Sequence, residues 1–215
     1  MSKVPLVFWS WFNGRRWKGH ADPQWLQKRA ELWKYTALES IQRQTVHDWT
    51  YVLFCAQGTE EMVRPLLGHP EARVRVVFGD VQAKNALPEA DSHLAMRVDS
   101  DDRLHPRVGQ LLLENSGKGR PWLQFNDGFA AAGRKIYHWN SHSSPFYARV
   151  FHGLKEDGIW IKPDHTTLVG KAKILPAGNF CVTLHDHNSS TRRYHAGAQC
   201  NLPTAVRVCE TFGIR

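Results

Sequence analysis

Between Val4 and Val98 the chain alternates short apolar runs with stretches in which apolar residues recur every three or four positions. Leu6–Phe12 is apolar almost throughout, the pattern of a strand buried on both faces. From Pro23 to Ile41, the residues Trp25, Leu26, Arg29, Leu32, Trp33, Thr36, Ala37 and Ser40 fall at three-to-four spacing, which predicts a helix. Tyr51–Cys55 predicts a second strand, Glu60–Leu67 a short helix ending near Gly68, Val74–Phe78 a third strand and Leu94–Val98 a fourth. Strands separated by helices of this length form βαβ units. The expected fold class is therefore α/β, with a mostly parallel, Rossmann-like mixed sheet flanked by helices.

The second half is less regular. Trp122–Asn126, Lys135–Trp139, Lys173–Leu175 and Val182–His185 read as short strands, the last running into a polar cluster from His185 to Ser189. Asn140 to Pro163, with its Ser, His and Gly content, reads as loop-rich. No repeat, low-complexity tract or linker interrupts the chain. At 215 residues it suits one domain, 1–215, divided functionally into residues 1–105 and 106–215.

The fourth strand runs straight into Asp99-Ser100-Asp101-Asp102. Three carboxylates crowded at a strand end repel one another unless a cation neutralises them. Mg²⁺ or Mn²⁺ suits such oxygen donors and can also hold a substrate diphosphate. Eleven Asp in 215 residues make roughly half an Asp-x-Asp pair expected by chance, so the pair alone does not establish a metal clamp. The simpler reading is a polar turn or a helix start, with these carboxylates capping a helix through Leu111–Leu113.

Hydrophobic content of 42% and charged content of 22% are those of an ordinary globular chain, which excludes a disordered one. The formal net charge of +8, spread from Arg15 and Arg16 to Arg192 and Arg193, favours an anionic partner, although solubility alone would also account for it. Cys55, Cys181, Cys200 and Cys209 contain no C-x-x-C pair. That excludes a zinc ribbon and suits reduced thiols, so the expected location is the cytoplasm. Lys3 before the apolar run Val4–Phe12 imitates a signal peptide. Pro5 and the absence of a small-residue cleavage site make a buried strand the better reading, and no run is long enough to span a bilayer.

The order of these pieces resembles the GT-A glycosyltransferases. Leu38-Glu39-Ser40-Ile41-Gln42-Arg43-Gln44-Thr45 followed by Asp48–Leu53 is similar to their helix–Gln-Thr–strand passage. Arg97-Val98-Asp99-Ser100-Asp101-Asp102 is similar to their D-x-D region. More narrowly the chain resembles a rhamnosyltransferase group, with an arginine two residues before the first Asp and a late His-x-x-Asn matched by His185–Asn188. The similarity covers about residues 1–130 and the patch near 185. It implies a GT-A-like domain whose first half binds a nucleotide sugar (a UDP-, GDP- or dTDP-sugar) and whose second half meets the acceptor. It also implies that Asp99 and Asp101 hold Mn²⁺ or Mg²⁺, that Asp99 touches the ribose, and that His185 is a late metal or diphosphate ligand. Trp11, Arg15 and Arg97 would lie near the nucleotide. Where many relatives carry a base-reading carboxylate, this chain has Cys55-Ala56-Gln57-Gly58-Thr59, so the donor base is left open.

An inverting transfer needs a general base on the acceptor side. Asp164 is the first candidate, with Asp157 and Glu156 behind it; each also reads as an ordinary surface carboxylate. The basic balance makes DNA with hydroxylated bases a candidate acceptor, reached by flipping the base or meeting it single-stranded. Trp139, Phe146 and Tyr147 beside Arg149 would stack there, or belong to the core. A surface polysaccharide is the alternative acceptor. A non-catalytic basic nucleic-acid-binding domain is the competing class, although no helix-turn-helix, zinc-finger or RNA-binding signature is present. Oligomeric state is not legible in the chain.

Overall fold

The computed structural model describes residues 4–14, 20–79, 86–117, 122–141, 144–152, 168–185 and 196–215. The chain folds as α/β with two sheets. Strands β1 (Leu6–Asn13), β2 (Trp49–Cys55), β3 (Val74–Phe78), β4 (Ser92–Arg97), β6 (Trp122–Gln124), β9 (Tyr147–His152) and β10 (Ala172–Ile174) form a seven-stranded sheet in the order β10-β6-β9-β4-β1-β2-β3. Strands β5 (Arg103–Leu104), β7 (Asp127–Ala132), β8 (Lys135–Asn140), β11 (Phe180–Thr183) and β12 (Ala196–Gln199) form the second, in the order β12-β8-β7-β11-β5.

In the large sheet β1 runs parallel to both β2 and β4, and β2 runs parallel to β3. Among the described residues only β9 is reversed, pairing antiparallel with β4 and β6. The expectation of a mostly parallel mixed sheet holds for the large sheet, whereas the second sheet is mostly antiparallel and was not expected. The expectation of a loop from Asn140 onward does not, because β9 is a central strand. Its sequence carries apolar residues toward both faces, so it lacks the apolar–polar alternation that marks a half-buried strand.

The long helix begins as α1 (Pro23–Trp33), with Asp22 as N-cap accepting from the Trp25 N–H at 2.7 Å and Pro23 in its first turn. It passes through a π-helical stretch, Lys34–Leu38, and ends as α2 (Glu39–Gln42). With α3 (Glu60–Leu67) and α4 (Val108–Asn115) it covers one face of the large sheet. Leu26, Trp33, Ile41, Val63 and Leu112 pack there against Leu6, Phe8, Tyr51, Leu53, Met96 and Val98. The other face carries Val7, Trp9, Val52, Phe54, Ala95 and Phe151, met by the Ala86–Leu87 turn. The last helix, α5 (Leu202–Phe212), packs on the second sheet through Val208 and Phe212.

The carboxylates Asp99 to Asp102 do not cap α4. Arg107 occupies its N-cap position without a side-chain hydrogen bond, and the acidic segment is a separate turn between β4 and β5. That turn is the joint at which the chain leaves the large sheet and enters the small one.

Candidate functional site

Sheet order decides where a ligand can enter. From β1, the chain proceeds to β2 and β3 on one side, and β4 lies on the other. In open parallel sheets such a reversal leaves a crevice at the carboxyl ends of the two central strands. The residues at those ends are Trp11–Asn13, the last of β1, and Val98–Asp102 after β4.

The acidic turn is held from beneath by a buried hydroxyl network. Ser10 Oγ donates to the Val98 carbonyl at 2.6 Å and lies 2.8 Å from the Tyr51 hydroxyl. With the Ser10 proton spent on Val98, Tyr51 donates to Ser10 and accepts from Trp33 Nε1 at 3.1 Å. Burial pushes the Tyr51 phenol well above its ordinary range, so it stays protonated. Ser100 Oγ donates to the Trp11 carbonyl at 2.8 Å, and Thr36 Oγ1, which donates to the Leu32 carbonyl, lies 3.2 Å from the Ser100 carbonyl. Thr36 sits in the π-helical stretch, an irregularity frequent at functional sites. The Asp102 N–H closes the turn onto the Asp99 carbonyl at 3.0 Å.

The turn brings one ligand oxygen from each of Asp99, Asp101 and Asp102 within 4.8 Å of one another. Asp101 and Asp102 are 3% and 0% exposed. At that spacing, ionised carboxylates repel by about 3 kcal/mol per pair for an effective dielectric near 20, so neighbouring cations are required. The protein supplies several. Arg97 NH2 donates to Asp99 Oδ1 at 3.0 Å. Arg29 NH1 donates to Asp101 Oδ2 at 3.1 Å, while its NH2 donates to Ser100 Oγ at 2.7 Å. His185 Nε2 lies 2.9 Å from the same Asp101 oxygen. Asp102 Oδ1 accepts the Thr183 N–H at 2.9 Å, and Thr183 Oγ1 accepts from Arg103 NH1 at 3.0 Å. Burial works against the Arg97 charge, but Asp99 and then Tyr147 outweigh it and hold the guanidinium above its ordinary range. Arg103 goes the other way: burial lowers it, opposed by Cys181, Glu39 and Asp102.

Oxygen donors on three carboxylates, with a histidine nitrogen adjacent, are chemically suited to Mg²⁺ or Mn²⁺. The residues that could hold such an ion are Asp99, Asp101 and Asp102. Asp101 would do so while bonded through Oδ2 to Arg29 and His185.

Of the residues expected from the sequence, Asp99, Asp101, Arg97, Trp11 and His185 converge here. Trp11 contributes its backbone carbonyl to Ser100, and its half-buried ring packs on Phe54 at 5.2 Å. Asn13, fully buried, donates to the His20 carbonyl and Thr59 Oγ1 and accepts from the Ala56 N–H. It thereby ties the end of β1 to the loop after β2. Arg15, Glu156, Asp157 and Asp164 lie outside the described residues, as do His187 and Asn188 of the His-x-x-Asn match. Trp139, Phe146 and Tyr147 are core, Phe146 stacking on Phe180 at 4.2 Å.

Arg29 is the site residue that sequence reading missed. Its signal was present: it falls on the same three-to-four stripe as Leu26, Leu32 and Trp33, so a charge was directed toward the buried face. Comparison with known protein families finds no family model that matches the chain, and comparison with curated proteins finds no match.

Proposed function

We propose that the protein is a divalent-metal-dependent glycosyltransferase of GT-A type, moving a sugar from a nucleotide-sugar donor to an acceptor hydroxyl. The observation that carries this reading is the Asp99–Asp101–Asp102 cluster at the reversal of strand order between β1 and β4, with His185 brought against it from the second sheet. A bound Mg²⁺ or Mn²⁺ supplies Lewis-acid neutralisation of the charge developing on the departing diphosphate. Asp99 and Asp101 would hold it, with Asp102 beside them. Arg97 and Arg29 hydrogen-bond to Asp99 and Asp101 and fix their orientation, so neither carboxylate must be reorganised when the donor arrives. Trp11 stands at the crevice edge, where it would border the nucleotide.

On the acceptor side a carboxylate takes the hydroxyl proton as the new glycosidic bond forms. Asp164 is the leading candidate for that base, followed by Asp157 and Glu156. The net charge of +8 supports a polyanionic acceptor, and DNA bearing hydroxymethylated bases combines that charge with a nucleophilic hydroxyl. No helix among the described residues is long and apolar enough to cross a membrane.

The donor half is tested by calorimetry with UDP, GDP and dTDP, with and without Mn²⁺; metal-dependent binding of one of them is expected. The acceptor half is tested by incubating labelled nucleotide sugars with plain and 5-hydroxymethylcytosine DNA and analysing the nucleosides by mass. Label on hydroxymethylated DNA alone is expected. Transfer only to a rhamnose- or hexose-containing glycan would replace DNA by a polysaccharide acceptor. Salt-sensitive DNA binding without nucleotide binding would replace the enzyme by a nucleic-acid-binding domain.

A further inference from the structure

The second face of the large sheet holds a cation that the acidic site does not use. Arg149 lies on β9, in register with Ala95 of β4 on one side and Trp122 of β6 on the other. Its guanidinium lies against two mutually edge-on rings, 5.0 Å from the Trp122 centroid and 5.2 Å from that of Phe151. Trp122 is itself fixed edge-on by Tyr147 at 5.9 Å and Phe151 at 6.4 Å. Ala95 across the strand is too small to cover the group from that side.

Arg149 is half-buried, and its Nε is buried without a hydrogen-bond partner. Among the described residues the guanidinium has no carboxylate partner, and neither its own donors nor the half-exposed Trp122 indole N–H makes a hydrogen bond. Among the described residues the other arginines near the crevice are engaged: Arg97 by Asp99, Arg29 by Asp101 and Ser100, Arg103 by Thr183. Aromatic contacts favour a cation but satisfy none of its N–H donors, and a buried donor without a partner is costly. The two terminal nitrogens are not among the buried unpaired atoms, and an anion supplied by a ligand would meet the guanidinium there. The planar fork of Arg matches phosphate oxygens.

We propose that Arg149, with the indole of Trp122 beside it, is a subsite for a phosphate group of a nucleotide or polynucleotide ligand. The subsite is continuous with the acidic cluster. Two residues along β9 from Arg149, about 7 Å, stands Tyr147, which contacts Arg97, the partner of Asp99. The inference rests on the surroundings of Arg149 and does not require sugar transfer.

The experiment uses Arg149→Gln and Arg149→Lys in the full chain, each checked by circular dichroism and thermal melting. Two probes distinguish the sources of the phosphate: a short fluorescein-labelled single-stranded oligodeoxynucleotide followed by anisotropy against salt, and UDP with Mn²⁺ followed by calorimetry. For a polynucleotide ligand, Arg149→Gln weakens the oligonucleotide about tenfold and lowers the salt slope by about one, while UDP binding is unchanged. Arg149→Lys recovers the slope but not the full affinity, because it keeps the charge and loses the fork. For a nucleotide ligand, the loss falls on UDP and the oligonucleotide is unaffected. Both outcomes support the subsite. A folded Arg149→Gln protein that binds both probes as wild type does overturns it, even if its melting temperature falls. If that variant is silent while Asp101→Asn abolishes UDP binding, the subsite fails and the donor-site reading stands. The opposite pair of results leaves the subsite and removes the donor-site reading.

Discussion

Arg29 and Asp101 are 72 residues apart in sequence, yet form a nearly buried ion pair at 3.1 Å, with side-chain exposures of 11% and 4%. The pair welds the first helix to the acidic turn. Removing one partner of such a pair strands the other's charge in a poorly solvated place.

Arg29→Met is therefore expected to lower unfolding stability by about 3 kcal/mol, read by urea denaturation. Arg29→Lys should lose less, because it keeps a charge beside Asp101, but not nothing, because a lysine cannot bond Asp101 and Ser100 with the same fork. The double variant Arg29→Met with Asp101→Asn should recover part of the loss. Full additivity of the two single losses would show that the pair does not couple.

Asp99→Asn and Asp101→Asn are each expected to weaken Mn²⁺-dependent nucleotide binding at least about tenfold, because an amide is a poorer ligand for a hard cation. The two differ in stability. Asp101→Asn also removes the partner of Arg29, whereas Asp99 is more exposed and pairs with Arg97. Calorimetry and melting on both variants separate the effects. Unaltered nucleotide affinity in both would remove the metal clamp.

Asp164→Asn is expected to leave donor binding unchanged and slow transfer by about two to four orders of magnitude, the scale of a lost general base. A wild-type rate in that variant passes the role to Asp157 or Glu156. Single-turnover kinetics with saturating donor is the appropriate measurement.

Tyr51→Phe deletes the hydroxyl between Ser10 and Trp33, leaving the buried indole N–H unpaired. A loss of about 1–3 kcal/mol is expected. Because Ser10 also holds the Val98 carbonyl, metal affinity should fall with it. A stability loss with unchanged Mn²⁺ binding would confine the network to a packing role.

His105 is held below its ordinary pKa, first by burial and then by Arg107 and Arg43, and its Nδ1 accepts the Arg107 N–H at 3.1 Å. The unfolded chain binds this proton more readily than the folded one. Stability is therefore full above about pH 6.5 and falls as pH drops below it, down to the depressed folded value. His105→Gln should flatten that part of the profile in urea melts taken at successive pH values. An unchanged slope would assign the acid sensitivity to other groups.

The local elements were legible in the chain because their causes are local. The run Leu6–Phe12, the stripe from Trp25 to Ser40 and the valines of β3 each record how many faces of an element are buried, and burial follows a period of two or about 3.6. The placement of Asp99–Asp102 at a strand end was legible for the same reason. β9 carries apolar residues toward both faces and so lacks that alternation, which is why it read as loop, and β7, β12 and α5 were not placed. Periodicity also says nothing about partners. Arg29 on the apolar stripe announced a buried charge, but only the packing of the helix on β1 and β4 supplied Asp101. His185 and Thr183 reached the carboxylates from more than 80 residues away because β11 pairs with β5, the two-residue strand that leaves the acidic turn. Burial is dictated by each residue's own chemistry; which charges meet is set by strand order, and strand order is a property of the whole chain.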